Sequence, residues 1–266
     1  MFIDINSYVG HWPFRNLKYN TLEGLDTLAR EYGITHMVVS NINGFFYKDA
    51  NQANLELLEA LEQYNGETTF LPMAIVNPAY VCWEEDAREM IAKGFAGFEI
   101  APFYHRYALP KEFGDRDFSL TRKVFDLAKE LDVPVRISSS IENFRGRSEN
   151  DTFLILEAND VVTLLSYQKD VPVLLTGFNP YACNAELKAL LKERPKTYFD
   201  TTQYDSFGMG GQTAIYNIID KSQLCFGSLS PFNYMEVAVL RTQFAPGTDF
   251  EKCKVNAKEA FKALRA

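Results

Sequence analysis

An alternation constrains this chain more than any other feature. Eight short runs rich in Val, Ile, Leu and Phe recur along it: Phe2–Asn6, Ile34–Ser40, Thr69–Val76, Ala96–Ile100, Val133–Ser138, Val171–Thr176, Thr197–Asp200 and Gln223–Phe226. Short apolar runs beside turn signals read as strands buried on both faces, the habit of parallel sheets. Helical patterns separate them. Leu22, Leu25, Ala29 and Tyr32 repeat at helical spacing before Gly33, with Asn20 and Glu23 spaced as a capping box. Leu120, Val124, Leu127, Ala128 and Leu131 form a second stripe. Phe250, Cys253, Ala257, Ala260, Phe261 and Leu264 predict a closing helix over about 249–265. Eight strand–helix units in 266 residues predict an α/β fold, a (β/α)8 TIM barrel forming a single domain over 1–266. An open doubly wound sheet is the competing architecture, but no G-x-G-x-x-G follows the first strand. Gly208-Met209-Gly210-Gly211 comes after the seventh strand and reads as a flexible βα loop.

Composition removes several function classes. The chain is 47% hydrophobic and 23% charged, with net charge −8. Without a Lys/Arg block, such an acidic chain offers no electrostatic footing for nucleic acid. No apolar run approaches the length that spans a bilayer, and Met1-Phe2-Ile3-Asp4 lacks the basic and apolar regions of a secretory signal. The expected location is cytoplasmic. The four cysteines, Cys82, Cys183, Cys225 and Cys253, form no CxxC pair and no disulfide framework.

In a barrel of this class the site lies at the C-terminal ends of the strands. That rule gathers Asn6, Tyr8, His11, Trp12 and Arg15 after the first strand, and Glu99, Tyr104 and His105 after the fourth. Arg136 and Ser138 come from the fifth and Asp200 from the seventh. Such a mouth holds carboxylates, a guanidinium, hydroxyls and amides, fit for a small polar ligand.

At these residues the chain resembles the amidohydrolase-related (amidohydrolase-2 type) metal-dependent hydrolase family of barrels. Asp4-Ile5-Asn6-Ser7-Tyr8-Val9-Gly10 stands where that family has D-x-H-x-H-x-G. Gly97–Tyr107 resembles its G-x-x-L-x-P-x-Y-H-x-Y, Val133–Ser138 its L-P-V-x-x-H, and Phe226–Phe232 its F-G-S-D-x-P-F. Asn256-Ala257 matches a terminal N-A pair, and Gly10-His11-Trp12-Pro13-Phe14-Arg15 resembles the G-x-W-P-F-R of one branch. The resemblance implies a divalent metal held by four His and an Asp. The matching positions here read Asn6, Tyr8, Ser138, approximately Thr176, and Leu229, and the whole chain has only 3 His. Such donors suit zinc poorly and Leu229 cannot ligate, so no metal and no cofactor is expected.

Two readings stand for each candidate. His105 and Glu99 are the candidate acid–base groups; Glu99 is alternatively a structural partner for Arg136. Asp4 is expected to be structural, pairing with Arg136, while Arg136 is also a candidate clamp for an anionic substrate. Asn6, Tyr8, His11, Trp12, Ser138 and Asp200 complete the candidate substrate site; Tyr8 and Trp12 either line a pocket or plug the barrel. His36 reads as a satisfied barrel residue. Three functions follow: a metal-independent hydrolase or lyase acting on a small polar or carboxylated molecule, a non-catalytic pseudoenzyme binding a small molecule or protein, and an enzyme with a carboxylate-rich metal site from Asp4, Glu99, Asp200 and one His. A homo-oligomer is compatible with this barrel class.

Overall fold

The computed structural model describes residues 1–107, 116–142, 146–202 and 218–265. Strands and helices alternate: β1 Ile3–Val9, α1 Leu22–Glu31, β2 His36–Asn41, α2 Ala50–Gln63, β3 Thr69–Ile75, α3 Trp83–Ala92, β4 Gly97–Ile100, α4 Ser119–Leu131, β5 Val135–Ser138, α5 Ala158–Leu165, β6 Val173–Thr176, α6 Ala185–Lys192, β7 Thr197–Asp200, β8 Leu224–Cys225, α7 Met235–Phe244 and α8 Phe250–Cys253. The eight strands pair in sequence order, every pair parallel. The segment after β8 returns beside β1: Ile5 N donates to Phe226 O (3.0 Å), Leu229 N to Asn6 O (2.8 Å) and Tyr8 N to Ser230 O (2.9 Å). This is the TIM barrel expected from the alternation. The Gly208–Gly211 loop lies outside the described residues.

Period-two alternation divides the strand side chains between two cores. Met37, Val39, Ala74, Val173 and Leu175 pack outward among Leu25, Ala29, Met90, Phe125 and Leu164. Val38, Leu71, Met73, Leu174 and Cys225 form a second core with Ala257, Ala260, Phe261 and Leu264. The apolar stripe of the C-terminal segment therefore plugs the barrel. It does so without the single helix expected over 249–265: α8 is one turn, followed by 3-10 turns at Asn256–Ala260 and Lys262–Leu264. The cap of α1 also differs from expectation. Thr21 Oγ1 accepts from Gly24 N, while Asn20 Nδ2 donates to Gly10 O (2.8 Å) across the loop before the helix.

All four cysteines are free thiols. No helix among the described residues is long and apolar enough to cross a membrane.

Candidate functional site

Register builds the first half of the site. Glu99 on β4 lies directly opposite Arg136 on β5, so the carboxylate and guanidinium emerge side by side. Arg136 Nη2 donates to Glu99 Oε2 at 2.5 Å and both side chains are 0% exposed. The same Nη2 also donates to Ser40 Oγ (2.7 Å), and Nη1 to the carbonyls of Val38 (3.2 Å) and Ile5 (3.4 Å). Arg136 Cζ also sits 4.8 Å from the centroid of the Tyr8 ring, a cation–π contact. Glu99 Oε1 faces two hydroxyls, Tyr8 Oη at 2.8 Å and Ser138 Oγ at 2.5 Å, which are themselves 2.8 Å apart. Burial, with Glu99 beside it, raises the Tyr8 phenol well above its usual range, so it stays a neutral donor. Arg136 Nε alone has no partner among the described residues. The pairing expected between Asp4 and Arg136 is not formed: register gives the guanidinium to Glu99.

The second half holds carboxyls without a cation in hydrogen-bond contact. Asp4 accepts from Ser228 N (3.0 Å), Ser228 Oγ (2.5 Å) and Asn6 N (3.0 Å). Asp200, at the end of β7, accepts from Asn6 Nδ2 (2.6 Å), Gly177 N (3.1 Å) and Thr202 Oγ1. Asn6 thus bridges two acids, and its own Oδ1 is buried without a partner among the described residues. Burial pushes the Asp4 carboxyl up to about 7; its hydrogen-bond donors oppose the rise and Asp200 adds to it. Burial raises Asp200 as well, against the pull of Thr202, Asn6 and Gly177.

His105 lies on the segment after β4. Its Nε2 is 2.9 Å from Gly44 O. A carbonyl only accepts, so Nε2 carries the proton and Nδ1 is the bare nitrogen, without a partner among the described residues. Burial lowers this imidazole to about 4, leaving it neutral at pH 7. His36 is half-buried on β2, with Nδ1 2.7 Å from Thr35 Oγ1. His11 is exposed, and its backbone N donates to Asn43 Oδ1 (2.8 Å).

Above the polar groups lies an aromatic cluster. Trp12, fully buried, packs edge-on against Phe14, Phe46, Tyr104 and Phe232, and its Nε1 donates to Glu142 Oε2 at 3.1 Å. Tyr8 meets Phe45 and Phe232 in the same fashion. Leu229, where the family resemblance expects an Asp, is 1% exposed in this cluster. Of the two options left open for Tyr8 and Trp12, their geometry is that of a plug.

The structure therefore brings Tyr8, Glu99, Arg136 and Ser138 together and joins Asn6 to Asp200, while the hydrogen bonds of Trp12, His105 and His11 go elsewhere, to Glu142, Gly44 and Asn43. Sequence reasoning missed Glu142 and the pairing of Asp4 with Ser228; the strand-end rule does gather Ser40, which the structure places against Arg136. Glu142 stands two residues beyond Ser140, and the strand-end rule carried slightly further would have included it. Among the described residues no three His, Cys, Asp or Glu side chains are grouped to hold a metal ion.

No family model matches the chain, and no curated protein does. Solved structures share its fold. A dihydroxybenzoic acid decarboxylase from Polaromonas sp. JS666, with bound manganese and 2-nitroresorcinol, superposes with TM-score 0.73 at 16% identity, covering 100% of this chain and 98% of that one. A 2,6-dihydroxybenzoate decarboxylase from Rhizobium gives 0.69 at 14%, covering 98% of each. An amidohydrolase II gives 0.62 at 12%, covering 96% of each.

Proposed function

We propose that this chain is a metal-free relative of the amidohydrolase-related barrels, and that it binds a small polar or carboxylated molecule at its mouth without hydrolysing it. One observation carries the reading. Glu99, a nominated acid–base group, is already engaged by Arg136, Tyr8 and Ser138, all of them buried. A carboxylate bound by a guanidinium and two hydroxyls has little freedom to take a substrate proton. His105 adds support: a buried imidazole held near 4 is a poor general acid at neutral pH.

A divalent metal is bound in one neighbour of this fold. The side chains here do not fit one. An amide, a phenol, a hydroxyl and a leucine stand at positions where the resemblance implies imidazole and carboxylate ligands, and the nearby Glu99 already neutralises a guanidinium. The expected partner is a small molecule rather than a nucleic acid, given the net charge of −8.

A metal-independent hydrolase is the second reading, and the Asp4–Asn6–Asp200 cluster favours it. A carboxyl raised to about 7 is poised to exchange protons at physiological pH. A thermal-shift screen against small acids, lactones and sugars, followed by product analysis on each hit, separates the two. The binding reading expects hits recovered chemically unchanged. Turnover lost in Asp4→Asn overturns it in favour of the enzyme.

A further inference from the structure

The sequence Gly10-His11-Trp12-Pro13-Phe14-Arg15 forms a strap across the barrel mouth. Its two ends are tied together: Gly10 N donates to Asn20 O (2.9 Å) and Asn20 Nδ2 to Gly10 O (2.8 Å). Positive φ angles stand near both ends, 98° at Gly10 and 66° at Tyr19. The result is a compact Ω-loop on a closed base. Between His11 and Tyr19, one main-chain hydrogen bond reaches the rest of the described protein, from His11 N to Asn43 Oδ1 (2.8 Å).

Side chains, then, hold the strap down. Trp12 fills the aromatic box. Arg15, 45% exposed, donates through Nε to Glu142 Oε1 at 2.5 Å and through Nη2 to Phe232 O at 3.0 Å. The same Glu142 accepts the Trp12 indole N–H on its other oxygen. A segment with one main-chain tie to the rest of the described protein, fastened by Trp12, by Leu17 in the same apolar cluster and by one half-exposed ion pair, belongs toward the low-stability end of a structure's local openings.

We infer that Trp12 is a displaceable occupant of a binding site, and that the box takes a flat aromatic molecule presenting an N–H or O–H donor at its edge when the strap lifts. The indole shows what the site selects. Phe14 packs on the indole from the strap itself, and three rings outside the strap, Phe46, Tyr104 and Phe232, meet it edge-on at centroid distances of 5.0 to 6.1 Å. One buried carboxylate, Glu142, receives its single donor. A ligand of that shape recovers both contacts that Trp12 gives up, and its far edge would meet the ring of Phe232, which borders Tyr8. This rests on the binding reading above and names the ligand class of that mouth.

The test uses the full chain with both tryptophans replaced biosynthetically by 5-fluorotryptophan, read by fluorine NMR. Trp83 on α3 serves as the internal reference, and Trp83→Phe assigns the two signals. Indole is the probe. The expected result is that indole moves the Trp12 signal to the solvent-exposed position and leaves Trp83 unmoved. Arg15→Ala, which unfastens the strap at a half-exposed position, raises indole affinity about fivefold. Benzofuran, with the same fused 6–5 frame but an oxygen in place of the N–H donor, binds about tenfold more weakly. A Trp12 signal unmoved by saturating indole, both in the unaltered chain and in Arg15→Ala, overturns the inference. So does indole affinity indifferent to Arg15→Ala. Neither failure touches the metal-free binding reading, which falls to turnover or to a bound metal.

Discussion

The two halves of the barrel interior handle the same problem in opposite ways. On the β4–β5 side a buried carboxylate meets a buried guanidinium, with hydroxyls and a backbone carbonyl completing the set. On the β1–β7 side two buried carboxyls are satisfied by neutral donors alone: Ser228, Asn6, Thr202 and Gly177. The first half has formal charge balance and depends on it. The second is held by those hydrogen bonds, and burial raises both of its carboxyls, which makes it responsive to pH. Buried polar groups in a barrel thus need not share one role.

The largest expected effect breaks the balanced half. Arg136→Met leaves Glu99 buried without its cation and should cost about 3–5 kcal/mol in denaturant unfolding. Arg136→Met combined with Glu99→Leu should recover much of that loss, because the cost comes mainly from the stranded charge. A double variant no more stable than the single would place the stabilisation in packing instead.

The next prediction sharpens the contrast through pH. Asp4 is raised to about 7 in the folded protein, above the usual aspartate value of 3.8. Between those values the unfolded chain has released the proton and the folded one still holds it. Stability contributed by Asp4 is therefore full at low pH and is lost as pH rises through the folded value, with a linkage limit of the order of 4 kcal/mol. Asp4→Asn should stabilise the protein at pH 8 by about 1–2 kcal/mol, since weaker hydrogen bonds to Ser228 offset part of the gain.

His105 has the opposite sign. Its folded value near 4 lies below the usual 6.5. The unfolded chain gains a proton in that window and the folded one does not, so stability falls as pH drops from about 6.5 toward 4. The two groups oppose each other there. Asp4→Asn should leave stability rising with pH between 4 and 6.5, and His105→Gln should leave it falling, both read from urea midpoints across that range. Parallel profiles would remove the assigned causes. The smallest effect belongs to His11→Ala: the side chain is exposed and only its backbone N bonds to Asn43, so stability should move by less than about 0.5 kcal/mol.

Much of the fold was legible because strand and helix periods differ and every strand here is buried on both faces. Boundaries slipped where hydrogen bonding, not hydrophobicity, sets them. Pro134 has no N–H for a ladder, so β5 begins at Val135 and not at Val133. β1 runs on to Val9 because Ser7, Tyr8 and Val9 pair with Val39, Ser40 and Asn41. The closing stripe kept its apolar residues but not its helix, since it serves as a plug in turns. At the site, strand-end logic gathered Asn6, Tyr8, Glu99, Arg136, Ser138 and Asp200, and it offered Arg136 two partners, Asp4 and Glu99, without choosing between them. Partner choice depends on register: Glu99 opposite Arg136 is a fact of β4–β5 pairing that no residue pattern carries. Trp12 illustrates a different gap, because a loop aromatic reads alike whether it lines a cavity or fills it.

The central claim is that the strand-end side chains are committed to one another rather than to a cation. Elemental analysis of the protein, purified with neither chelator nor added metal, tests it most directly. The account predicts no stoichiometric divalent metal, and a melting temperature unchanged by manganese or zinc. One tightly held equivalent per chain, lost together with stability in Asp200→Asn, would contradict it.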